Sequence, residues 1–281
     1  MPSIARRVSR AALTLLAAGA VCSAPALAQT SDLVSRSALR VCADPAADPV
    51  STKDETGYEN RLAELVADRL GLPVRYEWYP MATGFIRNTL RANKCDVVIG
   101  YAQGHEMVLN TNHYLTSTYV LVVPRDGDLA AVDQLSDPAL KGKRIGIIAG
   151  SPPANHLAQY GLIGMARPYS LFVDRRYDSP GTDMLADLAA GEIDAAIIWG
   201  PLGGPLVKRD HPDLQATPLL KETLPPKLFY RITMGVRLGE KVWQRQLNSL
   251  IRRNQDEIDR ILVDAGVPVL TDMGTEEKTI E

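Results

Sequence analysis

The chain has 281 residues with a formal net charge of −2, which fits two lobes of about 100–150 residues each. A mildly acidic balance with no basic run excludes a nucleic-acid partner. Past the N-terminus, no apolar stretch reaches the ~20 residues a spanning helix needs, so a soluble mature chain is expected.

The first residues read as a targeting segment. Arg6, Arg7 and Arg10 precede an apolar run from Ala11 to Val21, and Ala26-Leu27-Ala28 is a small-x-small cleavage site. Residues 1–28 are therefore expected to be a signal peptide directing export to a bacterial periplasm, with the mature chain starting at Gln29. A lipoprotein reading would acylate Cys22, but Gly19, not Leu, stands three residues before it. Removing residues 1–28 takes away three Arg and no acid, leaving a mature charge of −5.

Leu39-Arg-Val-Cys-Ala-Asp44 opens the mature chain as a buried strand, followed by a loop rich in Pro, Ala, Asp and Ser up to Thr56. Apolar residues recur at helical spacing from Tyr58 to Leu70, and Gly71 and Pro73 stop that helix. Val74–Tyr79 alternates as a strand, Gly84–Ala92 is predicted helical, and Cys95–Gly100 is a short apolar strand suited to a parallel sheet. This β-α-β-α-β order is a doubly wound unit.

Tyr119–Pro124 is a further strand, after which a second unit begins. Lys143–Ile148, Tyr169–Val173 and Ile193–Ile198 are its strands, with helices at Ala154–Tyr160 and Thr182–Ala190. Gly181-Thr-Asp183 and Gly200-Pro-Leu-Gly-Gly204 read as turns. Phe229–Arg237 is a strand returning to the first lobe, and a long helix from about Glu240 to Ala265 closes the chain, ended by Gly266 and Pro268. The predicted fold is α/β and two-lobed, each lobe a doubly wound, mostly parallel sheet flanked by helices. Lobe 1 comprises residues 29–123 and 226–281, lobe 2 residues 124–225, and the crossings near Val123 and Leu228 form a hinge over a cleft.

Two cysteines survive maturation, Cys42 and Cys95. An even count in an oxidising compartment makes a disulfide the default. If the two strands run parallel from a common start, however, the cysteines are offset by about four residues, beyond disulfide reach at ~3.3 Å per residue. An edge or loop position for Cys95 would restore the bridge. No C-x-x-C motif or metal-ligand spacing occurs among the cysteines and the four scattered His.

Catalytic motifs are missing: there is no G-x-S-x-G, no H-E-x-x-H and no phosphate-binding glycine loop. His105 beside Glu106 is the sole acid/base candidate and lacks a nucleophile. The chain is expected not to be an enzyme and to hold no cofactor.

Several runs carry a resemblance. Val41-Cys-Ala-Asp44, Gly57-Tyr-Glu-Asn60, Gly84–Leu90, Lys94–Gly100, Tyr114–Val120, Gly191–Pro201 and Tyr230–Arg237 together resemble periplasmic solute-binding proteins of the family-3 type. They are most similar to the quinoprotein-dehydrogenase-associated homologues, the MxaJ/XoxJ type found with PQQ-dependent methanol and alcohol dehydrogenases. The resemblance implies a periplasmic accessory protein that assists maturation or activation of the dehydrogenase by contact with it or with its cytochrome c. The other reading is a substrate-binding protein of an ABC importer for an uncharged or aromatic solute.

Amino-acid-binding members of that family clamp the ligand carboxylate with an Arg after the third strand and its ammonium with an Asp at a second-lobe strand end. Here Tyr101-Ala-Gln-Gly-His-Glu-Met107 contains neither Arg nor Lys, and Trp199-Gly200-Pro201 replaces the Asp. A buried carboxylate or ammonium needs such partners, so a free amino acid is not the expected guest. The candidate cleft-lining residues, for a small apolar or aromatic ligand or a protein partner, are Asp44, Glu59, Trp78, Tyr79, Tyr101, His105 and Trp199.

Overall fold

A computed structural model describes residues 33–175 and 177–280. The expected signal peptide, residues 1–28, lies outside them. The first half of the chain forms β1 (Leu39–Ala43), β2 (Ala46–Ala47), β3 (Ser51–Thr52), α1 (Tyr58–Leu70), β4 (Val74–Trp78), α2 (Phe85–Asn88), β5 (Val98–Ala102) and β6 (Leu109–Pro124). The second forms β7 (Ile145–Ile148), α3 (Pro152–Gln159), β8 (Arg167–Tyr169), α4 (Pro180–Ala189), β9 (Ala195–Trp199), α5 (Gly200–Asp210) and β10 (Leu214–Pro218). The chain then returns through β11 (Phe229–Val236), α6 (Lys241–Arg253) and α7 (Gln255–Ala265).

Helix α1 has the bounds its periodicity predicts. Leu62, Leu65 and Val66 are buried along one stripe, the Asn60 carboxamide accepts the Gly57 N–H at the start, and Gly71 at φ 67° ends it in the left-handed region. Strands β1 and β4 pair in parallel, Leu39 opposite Val74 through Ala43 opposite Trp78. In the larger sheet the order is β5-β11-β6-β9-β7-β8, with β10 also on β6. The β7–β8 and β7–β9 pairs are parallel, and the pairs that β6 and β11 make are antiparallel.

Strand β6 joins the two halves of the molecule. At 16 residues it runs about 50 Å. Its first part pairs with β11 and gives Tyr114 and Leu115 to a core built from α1, β5, β11, α6 and α7. Its last part pairs with β9 and β10 and gives Leu121 and Val123 to a second core around Ile145, Leu157 and Ile197. Only Tyr119–Pro124 is legible as strand in the sequence, because Asn110 to Thr118 is largely polar. Those side chains find fixed partners instead: the Ser117 hydroxyl donates to the Pro268 carbonyl at 2.6 Å and that of Thr118 to the Leu228 carbonyl at 3.1 Å.

Other expectations are corrected. Gly181-Thr-Asp183 and Gly200–Gly204 are helical, not turns: Pro180 and Pro201 occupy first-turn positions where a missing N–H costs nothing. The helix expected over Gly84–Ala92 spans only Phe85–Asn88, after which the Thr89 hydroxyl bonds back to the Phe85 carbonyl at 2.7 Å. Strand β8 ends at Tyr169, where Tyr169–Val173 was expected. The closing helix is two helices broken at Asn254, whose side chain donates to the Leu250 carbonyl at 2.8 Å.

Cys42 and Cys95 form a disulfide with Cα atoms 5.5 Å apart, both sulfurs in residues that are almost wholly buried. The register objection fails because Cys95 lies in the connection before β5 rather than within a paired strand. There β1 meets the chain at a single parallel bridge, Val41 with Val97.

Candidate functional site

A cavity of about 260 Å³ sits between the two halves. Ala46, Ala47, Asp48 and Val50 wall it from the loop after β1. Ile148 and Ser151 close it at the end of β7, and Leu171, Val173, Arg175 and Asp178 come from the loop after β8. Pro180, Ile198, Trp199, Leu202 and Tyr119 complete the wall. The place is the one open α/β sheets provide, outside the carboxyl ends of parallel strands.

Trp199 dominates the apolar side. It ends β9 directly opposite Tyr119 of β6, and their rings meet edge to face at 5.4 Å. The Tyr230 ring also meets Trp199 edge to face, at 5.7 Å. Burial, with Tyr230 nearby, pushes the Tyr119 hydroxyl to about 12, and burial likewise raises Tyr230. Both phenols stay neutral near pH 7, so Trp199 and Tyr119 give the cavity an uncharged aromatic wall, with Tyr230 packed on Trp199. Of the charged groups at the cavity, Asp48 is held by Arg209 at 2.9 and 2.7 Å, and Arg175 and Asp178 lie on the exposed loop after β8.

Among the residues singled out from sequence, Trp199 lines this cavity. Asp44 is buried and organises its own loop, accepting the amides of Ala46 at 3.0 Å and Met81 at 2.8 Å. Its carbonyl accepts the Ser51 hydroxyl at 2.7 Å. Glu59 packs beneath β5, where a Cβ on Gly100 would stand 1.8 Å from its Oε1. Burial raises the Glu59 carboxyl to about 7, against the Gly100 amide that favours its ionised form. Trp78 stacks on Tyr76 at 4.4 Å, against the first core. Tyr79 accepts a hydrogen bond from Asn88 at 2.8 Å and packs on Phe85. Tyr101, within β5, and His105, in the loop after it, meet edge to face at 5.4 Å, and neither lines this cavity.

Sequence reasoning missed Tyr119 and Tyr230 as cavity neighbours, because each reads as an ordinary strand residue. The loop from Ser170 to Ser179 has no periodicity to mark it. Among the described residues no group of three or more His, Cys, Asp or Glu is placed to hold a metal ion, and no helix is long and apolar enough to cross a membrane.

Two α/β halves, crossed twice by the chain and enclosing a cavity at their strand ends, define the type II binding-protein fold. The chain belongs to the bacterial extracellular solute-binding proteins, family 3, which match it over residues 39–262. Within that family it is of the MxaJ/XoxJ type, as its sequence motifs imply. It is 32% identical to the protein MoxJ of Methylorubrum extorquens over 92% of this chain and 93% of that one. The crystal structure of the periplasmic binding protein XoxJ from Methylobacterium extorquens AM1 is similar at 40% identity and a TM-score of 0.71. That match covers 83% of this chain and 100% of that one. MxaJ from Methlophaga aminisulfidivorans MPT is similar at 25% identity and a TM-score of 0.72, with the same coverage of both chains.

Proposed function

We propose that this protein works in the periplasm as an accessory protein of a PQQ-dependent methanol or alcohol dehydrogenase system. It assists maturation or activation of the dehydrogenase by contact with that enzyme or with its cytochrome c, not by chemistry of its own. The system is the one implied by the resemblance to the MxaJ/XoxJ type.

The observation that carries a contact role is the exposed loop after β8, part of which lines the cavity. In the loop after β8, Leu171 is 52%, Phe172 86% and Tyr177 80% exposed, and the same loop lends Leu171 and Val173 to the cavity. Burying one such side chain is favourable by roughly 1.5–3 kcal/mol. Three of them on one loop that also lines the cavity therefore suit contact with a protein partner.

Pull-down with the tagged protein from the periplasm of alcohol-grown cells tests this. A quinoprotein dehydrogenase or its cytochrome c is recovered, and the paired substitutions Phe172→Ser and Tyr177→Ser abolish recovery while leaving the thermal transition in place. Recovery of neither protein overturns the proposal. A neutral aromatic solute that stabilises the chain by about 3–4 kcal/mol at 100–1,000 times its dissociation constant would point to an importer's binding protein instead.

A further inference from the structure

We propose that α5 is a clasp that keeps the two halves together and the cavity shut when nothing is bound. One face of α5 belongs to the second half, where Leu206 and Val207 pack with Leu188 and Ile198. Its other face meets the first half at successive turns, through Gly200, Gly204 and Lys208, which share a stripe by their spacing of four.

The approach along that stripe is backbone to backbone. A Cβ on Gly200 would stand 2.3 Å from the Thr118 carbonyl oxygen and 2.5 Å from Pro268 Cγ. One on Gly204 would stand 2.2 Å from the carbonyl oxygen of Gly266, the residue that ends α7 at φ 93°. No side chain fits at either place while the halves stay together. Lower on the stripe, Lys208 Nζ donates to the carbonyls of Val263 at 3.3 Å and Asp264 at 3.1 Å. Those carbonyls fall in the last turn of α7, past its regular ladder, where the Gly266 N–H also donates to Val263 at 2.9 Å. Arg209 then reaches round to the cavity mouth and grips both oxygens of Asp48, while Nε and Nη2 bond Asp210, each at 2.8 Å. Asp48 walls the cavity. A hinge opening that draws the loop after β1 away from α5 must break this fork, strip Lys208 from α7 and part the glycine seam.

The second crossover is pinned as well. Neighbouring α3 positions hold it: His156 Nε2 and the Pro226 carbonyl lie 2.8 Å apart, and Gln159 Nε2 donates to the Pro225 carbonyl at 2.9 Å. The Tyr160 hydroxyl donates to Glu222 at 2.9 Å. A segment that would have to bend during opening is thus tied to the second half through Pro226.

The clasp does not depend on which partner docks at Phe172, so each proposal can fail without the other. Its test is the distance between spin labels placed by Asp68→Cys on α1 and Ala158→Cys on α3, both exposed positions in opposite halves. The exported protein without added ligand gives one narrow distribution at the distance of this structure. Arg209→Ala, a substitution at a half-exposed side chain that leaves both cores intact, adds a longer-distance population. The fork's contribution, that of an exposed pair, corresponds to an increase of about 1.4- to 5-fold in that population. Gly204→Val shifts the distribution mainly to long distances, and 1 M salt moves the parent protein the way Arg209→Ala does. A parent protein already dominated by the longer distance overturns the clasp. So does an Arg209→Ala variant with an unchanged distribution in both low and high salt.

Discussion

Replacing Glu59 with Gln isolates one partly buried carboxyl. In the folded chain the Glu59 carboxyl titrates near 7 against an ordinary 4.5, chiefly because burial disfavours its ionised form. Between those two values the folded state keeps a proton that the unfolded state has released. Stability therefore falls as pH rises through the window and levels off above 7. At 1.36 kcal/mol per pH unit the loss is of order 3 kcal/mol. The carboxamide introduced by Glu59→Gln would keep the shape, accept the Gly100 N–H through its oxygen and have nothing to ionise. The neighbouring phenols of Tyr58 and Tyr114 are pushed upward by burial and stay neutral throughout, so no other group of the cluster titrates alongside. Urea unfolding of both proteins from pH 5 to pH 8 measures the difference. The Glu59→Gln protein should gain roughly 3 kcal/mol on its parent across that range, or about 6–12 °C in Tm for a body of this size. Parallel pH curves would refute the reasoning. A parent that gains on Glu59→Gln as pH rises would show that the Gly100 amide outweighs burial and that the carboxylate is the preferred form.

Two further outcomes follow from bonds already described. Reducing the Cys42–Cys95 bridge, which spans 53 positions of sequence, releases about 4 kcal/mol of unfolded-state constraint by loop-closure arithmetic, read as a lower urea midpoint with dithiothreitol. Asp44→Ala leaves the Ala46 and Met81 amides without their acceptor and should lower stability by about 2–4 kcal/mol in the same assay, whereas Asp44→Asn, retaining one acceptor, costs less.

What the sequence makes legible is what local physics decides alone. Helix α1 has its stripe, its glycine stop and its N-terminal cap within fifteen residues, so its bounds can be read directly. Strands β5, β7 and β9 are short apolar runs that only a covered sheet accommodates. The misreadings arise where a distant partner decides. Gly200–Gly204 looks like a turn because glycine and proline are weak helix formers, yet the glycines are there for close approach to Gly266 and Thr118, more than sixty residues away in the one case and eighty in the other. The first part of β6 looks like loop because its polar side chains are satisfied by β11 and the C-terminal segment rather than by burial in an apolar layer. Asp44 illustrates the same limit at the site: an acid at a strand end can face a ligand or tie down its own loop, and only the positions of the Ala46 and Met81 amides decide between them.

The charges at the cavity bear on what it can hold. The loop Tyr101–Met107 contributes nothing to the wall, and the cation that does, Arg175, comes from the exposed loop after β8. A guanidinium in contact with water discriminates weakly, since bulk dielectric screens its pull on a carboxylate to about 1 kcal/mol at 4 Å. The nearer acid, Asp48, already commits both oxygens to Arg209. A zwitterion entering this space would leave its solvent shell and meet neutral rings at Trp199 and Tyr119, with no dry counter-charge to replace the water. The same wall suits an uncharged ring or the apolar side chain of a protein segment. Phe172 and Tyr177 stand on the loop that lends Leu171 and Val173 to that wall, so a partner that covers them lies beside the cavity.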